Sequence, residues 1–338
     1  MSLKVLILGI NGFIGSHLLE QALLTKKDWT FAGLDLHADK IRNFLTDPRL
    51  QFRRGDICQE TAWIEQQIQR CDVVLPLVAI ATPVTYVKNP LIIFELDFEA
   101  NLKIVRLCVQ HKKRVVFPST SEVYGMCSDE EFDEQTSNFV LGPIHRSRWI
   151  YSCSKQLLDR VIHAYGVCDQ LSYTLFRPFN WIGAKLDDPH NPALGSSRVV
   201  SQFIGNILRG EAIQLVAGGQ QRRSFIDIDD GIEALLRIIT NEQGCAEQRI
   251  FNIGNPKNDI SIRKLAELLI EQMQSYPKYA DMAQRTQLKS VTADSYYGKG
   301  YQDMERRVPS IKNAKDYLNW QPKTDIETSL RKILDRLL

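Results

Sequence analysis

Tyr151 and Lys155 stand four residues apart in the run YSCSK. On a helix that spacing puts both side chains on one face, so a phenol and an ammonium address one point. A tyrosine phenol titrates near pH ~10, so service as a base at neutral pH needs about three units of depression, roughly 4 kcal/mol of preferential stabilisation of the phenolate. A nearby Lys155 would supply part of this, and a second positive charge the rest. The run PSTSEVYG at 118–125 carries the partners. Thr120 and Ser121 are hydroxyls that can bond a substrate hydroxyl and share its proton with Tyr151. Glu122 places a carboxylate beside them.

The second positive charge has its own signature. Gly9, Gly12 and Gly15 lie in GINGFIG, directly after the apolar run LKVLIL. Glycines there let the backbone turn sharply, approach a pyrophosphate and pack helix on strand. The helix that starts at Phe13 and Ile14 then offers free N–H groups and a partial positive charge to phosphates. Asp35 follows Gly15 by 20 residues, at the end of the second strand. A carboxylate there accepts bonds from ribose hydroxyls and repels a 2′-phosphate. The expected cofactor is therefore NAD, not NADP, and its oxidised nicotinamide ring is the second cation near Tyr151. Asp56 and Ile57, just past the third strand, stand where an adenine edge would be held.

These groups need a sheet to carry them. Strand-like runs at 3–8, 30–34, 50–52, 73–79, 114–118 and 173–176 alternate with helix-like stretches at 13–24, 38–45, 60–69, 90–111 and 152–165. The alternation, with continuously apolar strands such as VVLPLVAIA, predicts an α/β protein: a Rossmann-like doubly wound parallel sheet covered on both faces. Such sheets do their chemistry at the C-terminal strand edge, where residues 118–125 fall. After Pro178 the rhythm loosens. Residues 187–197 read as a loop and 198–208 as a helix. Residues 249–253 read as a strand, 261–273 as a helix, and 277–308 as an irregular polar and aromatic stretch. The expected division is an NAD-binding domain over 1–180, to which the chain returns around 215–255, and a smaller, mainly substrate-binding C-terminal lobe over 181–338.

Composition narrows the classes. The 338 residues carry 42 Lys and Arg against 40 Asp and Glu, which leaves no electrostatic footprint for nucleic acid or an anionic membrane. The longest apolar run falls far short of the ~20 residues of a membrane span. No signal peptide is expected at the N-terminus. Seven cysteines without a CxxC pair fit reduced thiols and a cytoplasmic location, and no metal site is expected.

The glycine turn, Ser121, YxxxK, RPFN at 177–180 and GGQQRRSFID at 218–227 together resemble the extended short-chain dehydrogenase/reductase family, in the group acting on nucleotide sugars. The likeness covers nearly the whole chain. It implies that Asn180 and the segment from Gln214 to Arg223 hold a sugar diphosphate, for which an arginine fork is physically apt. Within the family the likeness is strongest to the UDP-glucuronic acid decarboxylases that serve UDP-4-amino-4-deoxy-L-arabinose synthesis for lipid A. It is carried by VVLPLVAIAT, FPSTSEVYGMC, RWIY, FRPFNWIG and, in the variable lobe, SYYGKGYQDMERR at 295–307. That resemblance implies UDP-glucuronic acid as substrate, contacts from Ala81, Tyr86, Arg148 and Tyr301, and catalytic roles for Glu122 and Arg307. A homodimer is implied as well, with the apolar helical stretches 96–109 and 157–164 as its seam. Bifunctional members also carry a formyltransferase domain. This length leaves no room for one, and formyl transfer is not expected. Dehydratases of the family have Asp where Ser121 stands, which argues against dehydration. UDP-apiose/xylose synthases resemble a Cys there and also carry a Cys at the position of Cys153, so they remain an alternative, as does a 4-epimerase. A non-catalytic NAD or nucleotide-sugar sensor is the reading outside enzymology, and the presence of both Tyr151 and Lys155 disfavours it.

Overall fold

The computed structural model describes residues 2–190, 197–299 and 301–338; part of the loop expected at 187–197 lies outside the described residues. Seven strands form one parallel sheet: β1 Lys4–Leu8, β2 Thr30–Asp35, β3 Leu50–Arg54, β4 Val73–Pro76, β5 Arg114–Pro118, β6 Tyr173–Pro178 and β7 Arg249–Ile253. Their order is β7-β6-β5-β4-β1-β2-β3. The order reverses beside β1, and ligands of doubly wound sheets bind at that switch point.

Strand alternation builds a core on each face. Val5 and Ile7 of β1 point into one cluster, Leu6 and Leu8 into the other. The first is covered by helices Phe13–Thr25 and Ile228–Thr240 and, further along the chain, by Ala314 and Leu318 of Lys312–Leu318. Helices Thr61–Arg70, Asn101–Gln110 and Trp149–Asp169 cover the second. A third cluster lies in the smaller lobe, among helices Val199–Leu208, Ile262–Gln274 and Ile326–Leu337. Strand Ile213–Val216 pairs in that lobe with Leu288–Val291, whereas β7 pairs with β6.

The structure departs from the sequence reading at four places. The strand expected over 73–79 stops at Pro76. Its neighbour β1 ends at Leu8, whose carbonyl takes the N–H of Leu77, and the pairing with β1 does not continue beyond that point. The helix expected over 90–111 contains a π-helical turn, Phe94–Ala100. The helix expected over 152–165 spans Trp149–Asp169, so Tyr151 sits in its first turn. The stretch 277–308 is not irregular throughout, since it holds helices Ala280–Arg285 and Ala293–Tyr297.

Candidate active site

The glycine turn is built as a close approach of backbones. Gly9 has φ +90°, which favours glycine, and its N–H donates to the Leu34 carbonyl at 2.8 Å. A Cβ on Gly15 would stand 2.5 Å from the Gly9 carbonyl oxygen and 2.8 Å from Ile10 Cα. No side chain fits between helix Phe13–Thr25 and the strand exit. The first-turn N–H groups of that helix have no acceptor within it and point out of the turn. Asp35 accepts the backbone N–H of Asn11 at 2.8 Å, which joins the end of β2 to the turn. This cradle fits a dinucleotide pyrophosphate. Asp56 closes a turn after β3 by accepting the N–H of Cys58 at 2.7 Å, and Ile57 is buried in the second core cluster.

Next to the turn is a cavity of about 330 Å³ between the sheet edge and the smaller lobe. Every residue the sequence marked for substrate lines it: Ala81, Tyr86, Thr120, Ser121, Arg148, Asn180, Gln214, Arg223 and Tyr301. Phe13, Ile14, Tyr151, Glu122 and Arg307 line it too, while Lys155, Gly9, Gly12, Gly15, Asp35, Asp56 and Ile57 do not.

Thr120 ends the β5 exit in extended conformation, and its Oγ1 accepts the Glu122 N–H at 3.2 Å, starting the short turn Ser121–Tyr124. The turn aims Glu122 at two guanidinium groups. Arg307 Nη1 lies 2.9 Å from Glu122 Oε1 and donates to Ser121 Oγ at 3.2 Å. Arg148 Nη1 lies 2.8 Å from Glu122 Oε2. Arg148 is stacked over the rings of Trp149 and Tyr301, 4.6 and 5.4 Å away. Burial alone would raise the Glu122 pKa, but Arg148, Arg307 and Arg223 hold it down to about 2. Burial pulls Arg307 below its usual value, with Glu122 acting against that.

Two donors here are unspent: Nε of Arg148 and Nε of Arg307 are buried without a hydrogen-bond partner. Buried charged donors without acceptors are unfavourable, and a bound anion would satisfy them. Arg223 is more fully engaged, by the carbonyls of Arg222 and Met304 and by Asp303 Oδ1 at 2.6 Å.

Tyr151 is stacked on Tyr86, with ring centroids 4.8 Å apart and planes 6° apart. Burial pushes its phenol well above the ordinary value, Asp97 and Glu122 push the same way, and Thr120 opposes them. The phenol is therefore protonated at neutral pH before any cation binds beside it. Lys155 donates to the Pro118 carbonyl at 3.1 Å and lies 3.7 Å from Asp97 Oδ1. The sequence reading passed over Asp97 because the π-helical turn that presents it leaves no periodic signal. It also passed over Asp303, Tyr296 and Tyr297, although the run SYYGKGYQDMERR contains all three.

The chain belongs to the NAD dependent epimerase/dehydratase family, which matches residues 5–254. It is an enzyme of that family with NAD as its cofactor, a reading the glycine cradle supports. The chain is similar to the PbgP3 protein from Burkholderia pseudomallei, at 51% identity over 99% of this chain and 96% of that one, with a TM-score of 0.90. The fold is shared with the UDP-glucuronic acid 4-epimerase from Bacillus cereus, solved in complex with UDP-glucuronic acid and NAD. There the identity is 22%, the coverage 99% and 98%, and the TM-score 0.79. It is shared too with a dTDP-glucose 4,6-dehydratase from Bacillus anthracis in complex with NAD, at 19% identity, 99% and 96% coverage and a TM-score of 0.79. Family membership sets aside the non-catalytic sensor. Among the described residues no helix is long and apolar enough to cross a membrane.

Asp35 should set the cofactor preference. Asp35→Ala removes an acceptor for ribose hydroxyls, so NAD affinity should fall about tenfold or more, as for losing one charged hydrogen bond, and the gap to NADP should narrow. Titration of both dinucleotides into nucleotide-free protein checks this. Tighter binding of NADP than NAD by the wild type would contradict it.

Proposed function

We propose that this enzyme decarboxylates UDP-glucuronic acid by first oxidising C4 of the sugar. The observation that carries the reading is the placement of Arg148 and Arg307 around Glu122, one residue from Ser121 and in the same cavity as Tyr151. A 4-epimerase of neutral sugars has no use for two guanidinium groups at that point, each with an unpartnered Nε. A dehydratase needs an acid where Ser121 offers only a hydroxyl.

Gly9, Gly12 and Gly15 receive the pyrophosphate of NAD, and Asp35 its adenosine ribose. Bound NAD supplies the hydride acceptor for C4. Tyr151 Oη takes the proton of the 4-hydroxyl, while Thr120 and Ser121 hold that hydroxyl in line. Lys155 keeps a positive charge on the far side of Tyr151. Arg223, Gln214 and Asn180 bind the diphosphate side of the substrate, and Tyr86 and Tyr301 wall the sugar and nucleotide. Arg148 and Arg307 hold the C5 carboxylate. With a ketone at C4 that carboxylate belongs to a β-keto acid, so its carbon–carbon bond breaks with the electron pair passing to the ketone oxygen. Glu122 stays ionised and keeps both guanidinium groups in place. Reprotonation of the ring carbon then gives a UDP-4-ketopentose, or UDP-xylose if the ketone is reduced again.

The partner proposed is a second copy of the chain, packed across the helical stretches 96–109 and 157–164. Leu157, at the start of the second stretch, is exposed in the single chain. The test of the function is incubation with UDP-glucuronate and NAD. CO2 should appear with a pentose nucleotide. Consumption of UDP-glucose or UDP-galactose without CO2 would transfer the reading to a 4-epimerase.

A further inference from the structure

Asp97 is fully buried beside the proton-transfer pair, and nothing above gives it a part. It sits in the π-helical turn Phe94–Ala100, between helical segments Pro90–Ile93 and Asn101–Gln110. Such turns rotate the side chains within them out of helical register and recur at functional sites. This one is held open by Asn101, whose Nδ2 donates to the carbonyls of Leu96 at 2.9 Å and Val78 at 3.3 Å. Asp97 Oδ2 accepts the N–H of Ile80 at 3.2 Å. Asp97 Oδ1 lies 3.7 Å from Lys155 Nζ and has no hydrogen-bond partner.

Among the acids around Lys155, Asp97 has the largest effect on it. The ammonium lies 4.8 Å from the Phe117 ring and donates to the Pro118 carbonyl, so the strand beneath it brings no charge. Asp159, one turn along the same helix, takes Ser119 Oγ at 2.6 Å and Arg177 at 3.4 Å on its Oδ2; its Oδ1 is also unpartnered, and its effect on Lys155 comes second to that of Asp97. Tyr151 stands one turn earlier on that helix, and Tyr86 is stacked on it. An ammonium shut away from water loses its proton unless an acid compensates it.

We propose that Asp97 is a positioning residue for Lys155, holding its ammonium charged and fixed behind Tyr151. The proposal rests on the reading of Tyr151 and Lys155 as the proton-transfer pair. Burial lowers the Lys155 pKa, and Asp97 followed by Asp159 raises it again. Burial lifts Asp97 itself to about 6, so the ion pair is complete above that pH.

The test is Asp97→Asn, which keeps the size and the acceptor for Ile80 but removes the charge. In the variant Lys155 titrates further below the ~10.4 of the unfolded chain. Folded protein then binds fewer protons than unfolded protein over that window, and its stability rises with pH. The melting-temperature deficit against wild type should therefore be largest near pH ~6 and shrink towards pH ~9. In a Lys155→Met background the same substitution should instead raise the melting temperature above pH ~6, because it removes a buried carboxylate left without its cation. In kinetics, the alkaline limb of kcat for NAD reduction should move down by about one unit or more. A deficit that is constant with pH and unmoved by Lys155→Met would overturn the proposal. That melting result needs no turnover, so it is separable from failure of the catalytic assignment. Should Asp97→Asn not fold, the double variant decides: its recovery supports the charge pair, and its failure assigns Asp97 to packing alone.

Discussion

Tyr151→Phe is expected to leave the fold and NAD affinity intact and to lower turnover by at least the ~100-fold typical of losing a positioned acid–base group. The ring that stacks on Tyr86 is retained, so packing is preserved and only Oη is lost. The size of the effect follows from the electrostatics. In the free protein burial, Asp97 and Glu122 all hold the proton on the phenol. On the proposed reading the phenol becomes a base only once positive charge arrives next to it, and Thr120 stands beside it. Initial rates and NAD titration of the variant check this. Near-normal turnover would mean that another residue takes the proton.

Arg307→Ala should abolish CO2 release, by ~100-fold or more, while NAD binds normally. Arg307 comes from the smaller lobe and reaches Ser121 and Glu122 across the cavity. Its guanidinium keeps its charge at all working pH values, which suits it to hold a carboxylate or orient a proton donor better than to act as a free acid. Removing it leaves Glu122 paired with Arg148 alone and would take away one of the two cations proposed to hold the substrate carboxylate. Arg307→Lys tests the geometry: a point charge without the planar fork should recover part of the CO2 release. CO2 evolution and absorbance of NADH, followed together in one cuvette, check both variants. Unchanged CO2 release by Arg307→Ala would remove Arg307 from the reaction.

The NAD half of the molecule was legible because its signals are local. Gly9, Gly12 and Gly15 mark a turn whose backbone crowding shows in the sequence as missing side chains, and the apolar runs of β1, β4 and β5 need both faces buried. YxxxK was legible because one helix carries both residues. The clamp on Glu122 was not readable from spacing, since Arg148 and Arg307 lie on elements far apart in sequence and meet only in the folded cavity. They entered through resemblance, and the folded chain supplies the contacts. Asp97 left no trace in either way. A π-helical turn breaks the 3.6-residue period that sequence reading depends on, and the acid it presents looks from the sequence like one more solvated carboxylate.

The central claim is that the carboxyl carbon of the sugar leaves. UDP-glucuronate labelled with 13C at that carbon, mixed with the enzyme and NAD, tests it in one NMR time course. The account predicts that the labelled carboxylate signal decays into bicarbonate and CO2. Label that stays in a carboxylate while the ring signals convert to the 4-epimer would contradict it.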